Sequence, residues 1–179
     1  MAELPSVTKE RVDALIDDIV RREGGFVDHP ADRGGATKYG ITIGTLRDWR
    51  RQPVGRSDVA SLTEMEARQI YRTLYFTATG FDQVPDAQVQ ALLFDFAVHS
   101  GISEATKALQ RAIGAKPDGV IGPLSLEALK RVTNMEALFY RIKCERFELI
   151  TRFIGRDNAQ AVFATGWANR FDEFERSIQ

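Results

Sequence analysis

Apolar residues return at every third or fourth position along almost the whole chain, and this constrains the fold more than any other feature. Val12, Leu15, Ile16, Ile19 and Val20 form a first amphipathic stripe, closed by Gly24 and Gly25. A second helix is expected near Thr45–Arg51. A third is announced by Thr63 with Glu66 three residues on, its inner face carrying Ala67, Ile70, Tyr71 and Leu74. Asp86 opens a fourth, with Val89, Leu92, Leu93, Phe96 and Ala97 on one face and Gly101 as terminator. Ser103 starts another, through Ala105, Ala108, Leu109 and Ala112 to Gly114, and Pro123 is placed to begin the next. Met135, Leu138, Phe139, Ile142, Leu149, Ile150 and Phe153 mark one long helix ending near Gly155. A last helix carries Val162, Phe163, Trp167, Phe171 and Phe174. Alternation of the strand type is confined to a few residues around Lys38–Thr42. The fold class is therefore all-α, with at most a very short β-hairpin. Gln52–Ser57 reads as the loop between the two halves of the chain rather than as a domain linker.

Composition narrows the class further. The chain has 179 residues, 44% of them hydrophobic, enough for one globular core. Its formal charge is -1, which removes the electrostatic case for a nucleic-acid partner. The single cysteine, Cys144, excludes an intrachain disulfide, and its helical setting reads as a buried, inert thiol. With two histidines, His29 and His99, it makes a poor set for a zinc site, so no metal or organic cofactor is expected. No segment has the length of a transmembrane helix, and the first residues lack the charged and apolar regions of a secretory signal. The expectation is a chain made in the cytoplasm, with no stable membrane insertion.

The chemistry concentrates at the first glycine pair. Glu23 lies four residues after Ile19, seven after Ile16 and eleven after Val12, on the apolar stripe of its own helix. It also falls in the last turn, where the helix dipole is negative. Burial and dipole both disfavour the carboxylate and are expected to raise its pKa, as a general acid for glycosidic cleavage requires. Spacing alone equally allows a plain helix-end residue with a plain glycine cap. The following loop offers Asp28, Asp32, Thr37 and Tyr39. Asp32 and Thr37 are candidates for the second group that a glycosidase needs. The same residue types also form ordinary turns.

The run Glu23-Gly24-Gly25-Phe26-Val27, followed by Pro30-Ala31-Asp32-Arg33-Gly34-Gly35-Ala36-Thr37-Lys38-Tyr39-Gly40-Ile41-Thr42, resembles the signature of the glycoside hydrolase 108 muramidases. These are lysozyme-like enzymes of phage endolysins and secretion-associated systems. The family pattern is E-G-G-Y and then a D-P-x-D-x-G-G-x-T-x-x-G-I block. Phe26 stands here where Tyr is usual, and Asp28-His29 where Asn-Asp is common. Phe94–Gly101, Leu109–Gly114 with Asp118–Pro123, and Gly166-Trp167-Ala168-Asn169-Arg170 are similar to the family's C-terminal peptidoglycan-binding-type region. The resemblance implies a lysozyme-like helical fold with a cleft between lobes: a single domain over 1–179, with a catalytic lobe over 1–85 and a peptidoglycan-binding-type lobe over 86–179. It places Glu23 at the catalytic acid. Asp32 and Thr37 fall in the signature block, although their spacing is one residue shorter than in phage-type lysozymes.

The implied reaction is hydrolysis of the β-1,4 bond between N-acetylmuramic acid and N-acetylglucosamine. Catalysis falls to Glu23, Asp32 and Thr37, and substrate contact to Tyr39, Asp28 and His99. Peptidoglycan glycan strands are the expected partner. A monomer is expected, released to the periplasm or wall through a holin or a secretion apparatus. Arg170 is a candidate to approach Glu23 or another acid, and Trp49 and Trp167 are either packed aromatics or sugar platforms. Asp118–Pro123 reads first as a tight turn. Two other classes are weighed: a catalytically weak wall-binding module, against which the intact Glu23-Gly24-Gly25 argues, and a peptidoglycan amidase or endopeptidase, against which the sparse His and Cys content argues.

Overall fold

A computed structural model describes residues 9–28 and 35–156. Among these residues lie eight α-helices and a two-stranded hairpin, in the mainly helical arrangement of a lysozyme-like fold. The chain divides into two compact units between Ala78 and Thr79.

The first unit begins with α1 (Lys9–Glu23), which buries Val12, Ile16, Ile19 and Val20. Gly24 ends it with φ +66° and a bond from its N–H to the Val20 carbonyl at 3.3 Å. The hairpin pairs β1 (Thr37–Lys38) with β2 (Ile41–Thr42), so the short β element falls where the alternation places it. Its two turn residues, Tyr39 and Gly40, are both left-handed (φ 52° and 74°), the backbone that a tight two-residue hairpin needs. Thr42 then caps α2 (Ile43–Arg50), its hydroxyl accepting from the Thr45 N–H at 3.1 Å.

The loop expected over Gln52–Ser57 is shorter than that. Helix α3 (Arg56–Ser61) starts inside it, because the Asp58 carboxylate accepts the Gly55 N–H at 2.9 Å and satisfies the helix start. Thr63 caps α4 (Glu64–Ile70), its hydroxyl accepting from Glu66 N–H. From Tyr71 to Thr77 the helix widens: the Ala78 N–H bonds the Thr73 carbonyl, five residues back, at 2.9 Å. The wider turn carries Tyr75 and Phe76 into the core and leaves Leu74, an expected core residue, only half-buried.

The second unit centres on α5 (Ala87–Ser100), capped by Asp86 and buried nearly all round, with Val89, Leu92, Leu93, Phe94, Phe96 and Ala97 enclosed. It packs with α6 (Ile102–Ala112) and α8 (Met135–Arg156), while α7 (Pro123–Lys130) starts at the expected proline. The Asp118–Pro123 segment is the tight turn the sequence suggests. Buried Gln110 donates to the Asp118 carboxylate (2.8 Å), the Val120 carbonyl (3.0 Å) and the Ser125 hydroxyl (3.0 Å), and accepts the Gly119 N–H (2.8 Å).

One expectation about α8 fails. Cys144 is exposed, two residues and so roughly 200° round the helix from buried Ile142. The inner face instead takes Arg146, 4% exposed, whose guanidinium lies 2.7 Å from the buried Asp95 carboxylate and over the Phe96 ring. The expected helix over residues 162–174, with Trp167 and Arg170, lies outside the described residues, as do His29 and Asp32.

Candidate active site

Glu23 is the last residue of α1 and is half-buried. Its position is set by the hairpin rather than by the helix alone. The Tyr39 N–H donates to the Gly24 carbonyl at 3.1 Å, fixing the turn against the end of α1. The Tyr71 hydroxyl, from the start of the widened turn, donates to the Tyr39 carbonyl at 2.7 Å. Gly40 completes the contact. A Cβ built there would stand 2.5 Å from Tyr71 Oη, 3.1 Å from Glu23 Cγ and 3.4 Å from Glu23 Cβ. Gly40 is therefore required twice, by its left-handed backbone and by the stem of Glu23 lying on its Cα.

The remaining first-unit candidates surround this point. Thr37 sits in the middle of a small ribbon. Its N–H and carbonyl each bond Val27 at 2.8 Å, and it pairs with Thr42 on the other side. Tyr39 is the turn residue itself, half-buried, with the Lys38 ammonium 5.5 Å from its ring centre. The Lys38 ammonium also donates to the Ala60 carbonyl at 2.7 Å, which ties the hairpin to α3. Asp28 carries an ion pair with Arg56 at 2.5 Å, and the same guanidinium lies 5.9 Å from the exposed Phe26 ring.

Beneath the site, Tyr71 and Tyr75 meet edge to face at 5.1 Å. Burial pushes the Tyr75 phenol above its ordinary pKa, with a hydrogen bond to Thr45 working against it. Arg50 grips Glu66 through two bonds, at 2.8 and 2.7 Å, and holds that carboxyl below its usual range. Trp49, half-buried, bonds Glu66 as well. Among the described residues, no cluster of three His, Cys, Asp or Glu side chains stands in metal-holding geometry.

Thus the structure brings Glu23, Thr37, Tyr39 and Asp28 to one hairpin. His99 belongs to the second unit, at the end of α5, with Nδ1 2.7 Å from the Asp95 carbonyl one turn back. Sequence reasoning missed Tyr71 and Arg56 as parts of the site. Tyr71 was readable as a core residue only, although a tyrosine on an apolar face implies a hydroxyl that needs a partner.

Gly25 differs from its neighbour. Its φ is ordinary and a Cβ there would meet nothing within 4 Å. Neither backbone nor packing within the described residues demands glycine at that position.

Comparison with known proteins places this geometry. Residues 16–101 match the family described as Glycosyl hydrolase 108, and residues 104–172 match the Predicted Peptidoglycan domain. The solved structure of Brucella abortus SagA is 33% identical and superposes with a TM-score of 0.83, the alignment covering 93% of this chain and 92% of that one. No curated protein matches. A mainly helical, lysozyme-like frame with these two matches defines a glycoside hydrolase that acts on peptidoglycan. The chain belongs to the glycosyl hydrolase 108 family.

Proposed function

We propose that the protein is an N-acetylmuramidase that cleaves the β-1,4 bond between N-acetylmuramic acid and N-acetylglucosamine, with Glu23 as general acid. The observation that carries this is the seat of Glu23: half-buried at the negative end of α1, its stem laid on Gly40 and its surroundings held by the Tyr71–Tyr39 bond. In this role the Glu23 carboxyl passes its proton to the leaving oxygen as the glycosidic bond breaks. In the net reaction, water takes the place of the leaving oxygen on the anomeric carbon of muramic acid. Asp32 with Thr37 orients that water or stabilises the oxocarbenium-like transition state.

On this reading Tyr39, Asp28 and His99 contact substrate. The bare Cβ position of Gly25 leaves room for a polymer next to the carboxyl. Residues 1–85 supply catalysis and 86–179 hold the wall. A monomer that reaches the wall through a holin-type pore or a secretion apparatus completes the proposal.

The test is turbidity loss of purified peptidoglycan by wild type and Glu23→Gln, both checked for fold, with mass spectrometry of the products. Clearing by wild type alone, with new reducing muramic acid ends, supports the reading. Equal clearing by Glu23→Gln, or free peptides as products, overturns it.

A further inference from the structure

The second unit carries a pocket of ≈ 290 Å³ that no part of the proposed reaction uses. It opens between the end of α6, the end of α7 and the start of α8. Ile113, Ala128, Val132 and Ala137 line part of it with mostly small apolar side chains, Thr133 and Asn134 add polar groups, and Arg131 and Arg141 bring two guanidinium groups, so the lining as a whole is more polar than apolar. None of its lining residues is aromatic or acidic.

The two arginines are available to an incoming anion. Arg131 pairs with Glu127 one turn back on α7, but both side chains are mostly exposed, and such a pair is worth little in water. Arg141 donates only a long bond, 3.4 Å, to the Ala112 carbonyl at the end of α6, and no carboxylate pairs with it among the described residues. A guanidinium in that state gains a charge-assisted, two-pronged contact when a carboxylate arrives.

This lining selects among the parts of peptidoglycan. A glycan strand whose lactyl carboxyls are amide-linked to stem peptides is neutral, and its sugars are gripped best by aromatic faces, which the pocket lacks. The stem peptide is short, built largely of small residues such as alanine, and carries free carboxylates. Small apolar walls suit its methyl groups, and two guanidinium groups suit its acids. We propose that this pocket binds the carboxylate-bearing stem peptide of peptidoglycan, so that the second unit recognises peptide rather than sugar. The proposal rests on the reading that peptidoglycan is the substrate.

The test measures binding directly, on the full chain. The probes are a synthetic stem tripeptide (L-alanine, γ-linked D-glutamate, diaminopimelate), a neutral N-acetylglucosamine oligomer as the glycan, and inorganic phosphate at matched ionic strength, by calorimetry. The proteins are wild type, Arg141→Gln and Arg131→Gln/Arg141→Gln; the altered side chains are exposed, and circular dichroism checks the fold. The expected result is tripeptide binding that weakens at least about tenfold in Arg141→Gln and further in the double variant. Glycan and phosphate should not displace the peptide. Tripeptide affinity unchanged in the double variant, no tripeptide binding by wild type, or equal binding of phosphate overturns the proposal. Wild-type cleavage of intact peptidoglycan is scored separately. Peptide binding without cleavage would sink the muramidase reading alone, and cleavage without peptide binding would sink this inference alone.

Discussion

Gly40→Ala is the perturbation that probes the site most directly. The new Cβ enters a residue with φ +74°, where an L side chain costs about 1–2 kcal/mol. It also lands 2.5 Å from Tyr71 Oη and 3.1 Å from Glu23 Cγ. Tyr71 is fully buried and its hydroxyl is bonded to the Tyr39 carbonyl, so its ring has no free space to retreat into. Relieving overlaps of this kind costs a further ~1–3 kcal/mol. Together they give a loss of roughly 2–5 kcal/mol, or on the order of 5–15 °C in melting temperature for a chain of this size. Since Glu23 is one of the two groups displaced, muralytic turnover should fall at least about tenfold, more than the melting shift explains at 25 °C.

The mechanism is checked by a double-mutant cycle. Tyr71→Phe alone removes one hydrogen bond and should cost about 1 kcal/mol. In the Gly40→Ala background the same change also removes the clashing atom, so it should cost nothing or restore stability. Thermal melts by circular dichroism on the four proteins give the coupling. Effects that add to within about 0.5 kcal/mol would refute the packing argument.

Two other outcomes are expected. Arg146→Leu leaves the buried Asp95 carboxylate without its guanidinium and should cost ~3–5 kcal/mol in urea unfolding; a loss under about 1 kcal/mol would show that the pair is not the charge-compensating contact described. Glu66, bonded by Arg50, has its folded pKa depressed. Its contribution is thus present above the unfolded value and lost as pH falls through the folded one, so Glu66→Gln should flatten the acid limb of stability below about pH 4, and an unchanged limb would refute the assignment.

The helical frame was legible because its signals are local. The stripe of Val12, Ile16 and Ile19, the caps at Thr63 and Asp86, and Pro123 each act within one turn of themselves. Glu23 was legible for the same reason, as an acid continuing an apolar stripe. What escaped depends on distant partners. Arg146 looks like a surface residue until Asp95, on another helix, is placed 2.7 Å away. The widening after Tyr71 leaves no mark in composition, so Leu74 was expected inside and Phe76 was not. Tyr71 meets a backbone carbonyl 32 residues earlier, and carbonyls carry no residue-type signal at all. Asp32 remains a residue of the signature block, outside the described residues.

The paired bonds between Val27 and Thr37 have an evolutionary corollary. They clasp the chain on either side of the signature loop, and the Tyr39–Gly24 bond clasps it again nearer the acid. Residues gained or lost between the clasps change a loop whose closure cost grows only slowly with length, by about 0.6 kcal/mol per doubling. Glu23 and the hairpin keep their register throughout. A chain built this way can change the length or composition of that loop while leaving Glu23 where it stands. The clasps thus let the loop's own residues be exchanged without moving the end of α1.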